Sequence, residues 1–201
     1  MDCLEECFIT YKNNELNSNE FLSDDMIKII FKDAISHNRR HRTEVKNICK
    51  RIILNDYKDI NPNKIIEIIN NKYGVYKYIG PLTIYDISMG ICRYYELKLD
   101  KIYIIKQCET ENIKGPYNAI IKLGLKDKLK FERKIGIKNN VKKGEVLDLC
   151  TLEFDDIIDK IKEREDLKEM INYINERDGD KCESFLCIWN KMQSKKLLKT
   201  I

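Results

Sequence analysis

Apolar residues recur along this chain at helical spacing, with short polar breaks between. In "SDDMIKIIFKDAI", Met26, Ile29, Ile30 and Ala34 fall on one face. Ser23 precedes them as an N-cap, and Asp24 and Asp25 place negative charge in the first turn, where the helix dipole favours it. "SHNRRHR" breaks this helix. A second restarts at Thr43, with Val45, Ile48, Cys49, Ile52 and Ile53 at i, i+3, i+4, i+7 and i+8. Its other face carries Lys46, Lys50 and Arg51. Asn61-Pro62 predicts a cap followed by proline at the first helical position, and Gly74 predicts the stop.

After "YKYIGPLTIYDIS", residues Ile84, Ile87, Ile91 and Tyr94 or Tyr95 predict a helix to about Leu97. "LDKIYII" fits a short buried strand or a helix, and a run this short does not decide between them. Helix is expected from Pro116 to Gly124, and one or two helices within "EFDDIIDKIKEREDLKEMINYI". A closing helix should turn Phe185, Leu186, Trp189 and Met192 inward. Residues 1–22 show no clear period.

The expected fold is mainly α, a single compact domain over 1–201. Its core covers about 24–125, followed by a basic connector at 126–143 and an acidic helical part at 144–201. A small β-hairpin near 126–150 is the one sheet expected besides the ambiguous "LDKIYII". Only 8 Gly and 3 Pro argue against a sandwich or barrel stitched by many turns.

A net charge of +4 conceals an uneven distribution. Residues 37–51 hold six Lys or Arg against one acid, and 122–143 hold nine against two. Residues 144–180 hold five against thirteen acids. Lys is abundant throughout, as are Ile and Asn, so lysine number alone says little about nucleic acid. The basic stretches are either solvated faces or phosphate-attracting surfaces, with the acidic stretch lying away from them.

The N-terminus is acidic and lacks the basic n-region of a signal peptide, and no run of 18 apolar residues occurs. A cytoplasmic protein without a membrane span is expected. The 8 cysteines form no C-x-x-C, and Cys49, Cys92 and Cys187 fall within apolar periodic patterns, as reduced core cysteines do. No metal site is expected with 2 histidines and no ligand cluster, and no cofactor fingerprint is present.

Two stretches concentrate chemistry. In the first, Tyr78-Ile79-Gly80-Pro81-Leu82-Thr83 has the form of a helix-hairpin-helix turn, which grips a phosphate with backbone amides at a helix N-terminus. Gly80 fits the second glycine of that turn, Tyr78 stands where the first is expected, and Pro81 removes one donor. Amides of Gly80, Leu82 and Thr83, the Thr83 hydroxyl and Lys77 remain as phosphate contacts. The bland alternative is a plain helix turn with proline at its first position. In the second stretch, Arg39, Arg40 and Arg42 are expected to hold phosphate bidentately, and His37 or His41 to serve as acid or base. An exposed basic loop explains the same residues without function. Tyr85 is a candidate for stacking on a base, and Asp86 for pairing with an arginine of 39–42.

In order along the chain, His37 to Arg42, Gly80 to Asp86, Lys101-Ile102-Tyr103 and Phe185 to Trp189 form a set. With that set the sequence resembles a family of small, largely uncharacterised bacterial and phage proteins. The resemblance spans about 37–189 and implies an architecture more than an activity. A more distant resemblance is to the helix-hairpin-helix DNA glycosylases. It would place Leu82 at their lysine, against Schiff-base chemistry, and Asp100 near their catalytic aspartate, where a carboxylate stabilises an oxocarbenium-like centre. The expected function is sequence-independent nucleic-acid binding. The alternatives are a glycosylase-like or nucleotide-processing enzyme using His37, His41, Asp86 or Asp100, and a protein-interaction factor of phage or defence origin whose hairpin is only structural.

Overall fold

The computed structural model describes residues 22–76, 78–106, 115–136 and 146–199. These residues are mainly helical, with one small three-stranded sheet. The chain divides into two compact units, one running to Leu97 and the other taking Lys98–Ile135 and the chain from Val146.

The first unit opens with α1 (Asp24–Ile30) and α2 (Lys32–His37). Ser23 caps α1 by accepting from the Met26 amide at 3.3 Å. One continuous helix was expected here, but the chain kinks at Phe31, which is fully buried. The inward face is Met26, Ile27, Ile30, Phe31 and Ala34, with Ile29 only half-buried. Helix α3 (Arg42–Cys49) buries Val45, Ile48 and Cys49 as its spacing predicts, but it ends before Ile52 and Ile53, which were expected on the same face, and Ile53 is 49% exposed. Helix α4 (Pro62–Tyr73) starts with Asn61 accepting from the Lys64 amide at 2.9 Å, and Gly74 follows its end.

Helix α5 (Pro81–Tyr94) is the centre of this unit. It packs against α4 and α2 and is buried almost all round, Leu82 being the exception in its first turn. It ends because Glu96 turns left-handed at φ 54°, which lets the Leu97 amide donate back to Cys92 O at 2.8 Å.

The second unit begins with β1 (Ile102–Ile105), so the ambiguous "KIYII" run is a buried strand. Helix α6 (Pro116–Lys122) follows, then β2 (Lys130–Gly136) and β3 (Val146–Leu152), in the sheet order β1-β3-β2. β1 pairs antiparallel with β3, Ile102 opposite Leu152 and Ile105 opposite Leu149. Helices α7 (Phe154–Lys162), α8 (Met170–Asn175) and α9 (Gly179–Lys199) complete the unit. Ile102, Ile120, Leu152, Ile157, Met170 and Trp189 share its core. Helix α6 was expected in the first core but packs with α9. There the fully buried Asn190 donates to Gly115 O at 3.1 Å and accepts from Lys122 Nζ at 2.6 Å. Met192 was expected inward and is 53% exposed, while Leu186 and Trp189 are buried.

Cys49, Cys92, Cys150 and Cys182 are buried and Cys187 is half-buried. Among the described residues no helix is long and apolar enough to cross a membrane.

Gly90 marks the closest approach of α5 to α1. A Cβ there would lie 2.3 Å from Ile30 O, a backbone atom with no freedom to swing aside. Alanine favours a helix over glycine by about 1 kcal/mol, whereas overfilling a packed core costs about 1–3 kcal/mol. The clash should prevail, so Gly90→Ala is expected to lower stability by about 1–2 kcal/mol, read as a reduced urea midpoint at unchanged m-value.

Candidate functional site

Burial of α5 leaves its polar side chains needing partners, because an unsatisfied buried polar group costs about 1–3 kcal/mol. Ser88 donates back to Ile84 O within the helix at 2.8 Å. Thr83 and Asp86 are satisfied from outside, by the turn between α2 and α3. Asn38 Nδ2 donates to Tyr78 O at 2.9 Å and reaches Thr83 Oγ1 at 3.4 Å. His37 Nδ1 lies 2.9 Å from Asp86 Oδ2, in the position of a ring N–H donating to a carboxylate. The His41 ring stacks on Tyr78 with centroids 4.1 Å apart. Arg93 Nη1 donates to Asp33 Oδ2 at 2.6 Å and ties α5 to α2. The two stretches singled out in the sequence, 37–42 and 78–86, thus form one structural unit.

The detail differs from expectation. Asp86 pairs with a histidine rather than with an arginine of 39–42. That leaves Arg39, Arg40 and Arg42 exposed and without an ion pair among the described residues. Tyr85 is buried, so it is not placed to stack on a base. The Thr83 hydroxyl is turned to Asn38 and buried, which removes it from the expected phosphate contacts. Gly80 caps α5 without a side-chain hydrogen bond, and Leu82 beside it is 41% exposed. Lys77 lies outside the described residues. Asp100 belongs to the second unit, exposed near Tyr103, whose hydroxyl is pushed up by burial first and then by this carboxylate.

Charge pairing sorts the basic stretches. Asp24 takes up Lys46 at 2.6 Å and Lys50 at 2.8 Å, and these two lysines hold its carboxyl at about 2. Among the described residues, the charge of 37–51 without an ion pair is therefore arginine. In the second stretch, Lys128 pairs with Asp156 at 3.6 Å and Lys130 with Glu153 at 3.2 Å. Acidic side chains of 144–180 were expected to lie away from the basic stretch and instead neutralise part of it.

Sequence reasoning missed Asn38, Tyr76 and the stacking role of Tyr78. Asn38 sits between two helices, where a polar capping residue is common, but its partners lie 40 and 45 positions away. Tyr78 stands where a glycine was expected, and its ring stacks on His41.

Asp86 is 6% exposed, and burial pushes its carboxyl above the ordinary 3.8. The His37 hydrogen bond and charge oppose this, Arg93 does so weakly, and Asp33 adds to the rise. A raised value means that the fold prefers the protonated form. That contribution is fully present below 3.8 and is lost as pH rises through the higher folded value. Asp86→Asn, uncharged throughout, should therefore gain on the wild type as pH rises toward neutral. The gain is about 1.4 kcal/mol for each unit by which the carboxyl is raised. Urea unfolding of both proteins across the acid-to-neutral range measures it, and a pH-independent difference would contradict the assignment.

Searches against protein-family models, curated proteins and solved structures return no match for this chain.

Proposed function

We propose that this chain binds nucleic acid independently of sequence, through the 37–42 turn and the helix-hairpin-helix-like segment docked on it. The observation that carries the reading is the set of three exposed arginines, Arg39, Arg40 and Arg42, none with an ion pair among the described residues. Hydrogen bonds from Asn38 and His37 fix their turn against α5. Positive charge left unneutralised among the described residues, on a scaffold held by buried polar contacts, suits a polyanion better than a small neutral ligand. The N-terminus of α5, where Gly80 offers no side-chain cap, adds backbone amides and a favourable dipole for phosphate. Contacts of this type position a protein on a strand without reading its bases.

A second reading, a nucleotide-processing enzyme on the same scaffold, draws on the His37–Asp86 pair. A buried carboxylate that orients a histidine whose side chain is 50% exposed has the arrangement of a general acid–base pair. Release of a base or turnover of a nucleotide, lost in His37→Ala, would favour it.

Binding of labelled duplex and single strand across a salt series tests the main reading. The variant lacking all three arginines, each replaced by Ala, should bind more weakly, and its slope of log K against log salt should fall by about 2–3 on duplex. Gly80→Asp is a clean companion. A side chain there meets open space, and aspartate is a good N-cap, so stability should hold or rise while repulsion of phosphate weakens binding. Wild type that binds neither nucleic acid at low salt would refute the reading.

A further inference from the structure

Beside the arginine turn, the first unit holds an open cleft of about 270 Å³. It is lined by Glu44, Asn47, Ile48 and Arg51 along α3 and its end, and by Tyr76 and Tyr78 ahead of α5. Both tyrosine rings are braced. Tyr76 is stacked with Tyr73 at 6.2 Å between centroids, and Tyr78 with His41 at 4.1 Å. Rings held by neighbours lose little freedom when a further ring joins them.

Three features narrow the ligand. The walls offer flat aromatic surface and the apolar Ile48. Glu44, Asn47 and Arg51 complete the lining, yet the surface that the cleft itself exposes is almost wholly apolar. The volume falls just below the range of about 300–1,000 Å³ usual for small-molecule sites, which suits one planar ring held by apolar and stacking contact. Glu44 on the rim disfavours placing an anion inside, while His41, stacked on the cleft's own Tyr78, lies within the Arg39–Arg42 turn.

We propose that this cleft takes one unstacked nucleobase of a single strand, its ring against Tyr76 and Tyr78, while the flanking phosphates lie along Arg39, Arg40 and Arg42. A base paired inside a duplex cannot enter, so the chain prefers single strands. The proposal rests on the nucleic-acid reading and adds the ligand class of this site.

The test compares three probes by fluorescence anisotropy at low salt: a short labelled oligothymidylate, an abasic strand of equal length, and a duplex. Wild type should bind the base-bearing strand more tightly than the other two. Tyr76→Ala should weaken that strand by about 5- to 150-fold and leave the abasic strand unchanged, while Tyr76→Phe, which keeps the ring, should retain wild-type binding. Thermal melting verifies the fold of each variant. If Tyr76→Ala proves unfolded, the wild-type contrast between base-bearing and abasic strands decides alone. Equal binding of those two strands by wild type would overturn the cleft proposal and leave the phosphate reading standing. Failure of wild type to bind any probe would overturn both.

Discussion

The burial of α5 is the constraint from which the rest of the first unit follows. A helix covered almost all round cannot send its polar side chains to water, so each must be answered by the protein. Ser88 is answered within the helix. Thr83 and Asp86 are answered by Asn38 and His37, which forces the turn between α2 and α3 onto the start of α5. Hydrogen bonds made in a dry environment are worth keeping because breaking one exposes a buried group with no substitute. The turn is thus held for reasons of polar satisfaction, and its arginines are carried along to a fixed place.

Electrostatics then separates residues that look alike in sequence. Lys46 and Lys50 share one acid, Asp24, and Lys128 and Lys130 meet Asp156 and Glu153. Exposed pairs of this kind add at most about 1 kcal/mol each, yet they cancel charge locally. Among the described residues the arginines of the turn have no such acid beside them, so they contribute more to the local field than paired lysines do. They also sit on a segment whose His41 stacks with Tyr78, so charge and aromatic surface lie side by side.

The His37–Asp86 pair combines structure with chemical potential. Burial destabilises the carboxylate and its histidine partner restores part of the loss, so the pair is sensitive to the protonation of either member. The same geometry that anchors the turn also orients an imidazole at the surface. Its structural role follows directly from the contacts, and a role in catalysis is the added claim of the second reading.

By itself the sequence determined the local elements. Helical spacing, the Ser23 and Asn61 caps and Pro62 are signals contained within a few residues, and they located the starts of α1, α3 and α4, but not the break at Phe31 or the end of α3 at Cys49. It also flagged the 37–42 and 78–86 stretches, because dense charge and a Gly-Pro pair are visible without a fold. Tertiary structure decided the rest. Whether "KIYII" is strand or helix depended on a partner, Val146–Leu152, more than forty positions on. Which residue pairs with Asp86, which lysines are neutralised, and which tyrosines line a cleft rather than the core all depend on contacts between distant segments. Periodicity records which face of an element is apolar, but it does not record what that face, or the polar group beside it, will meet.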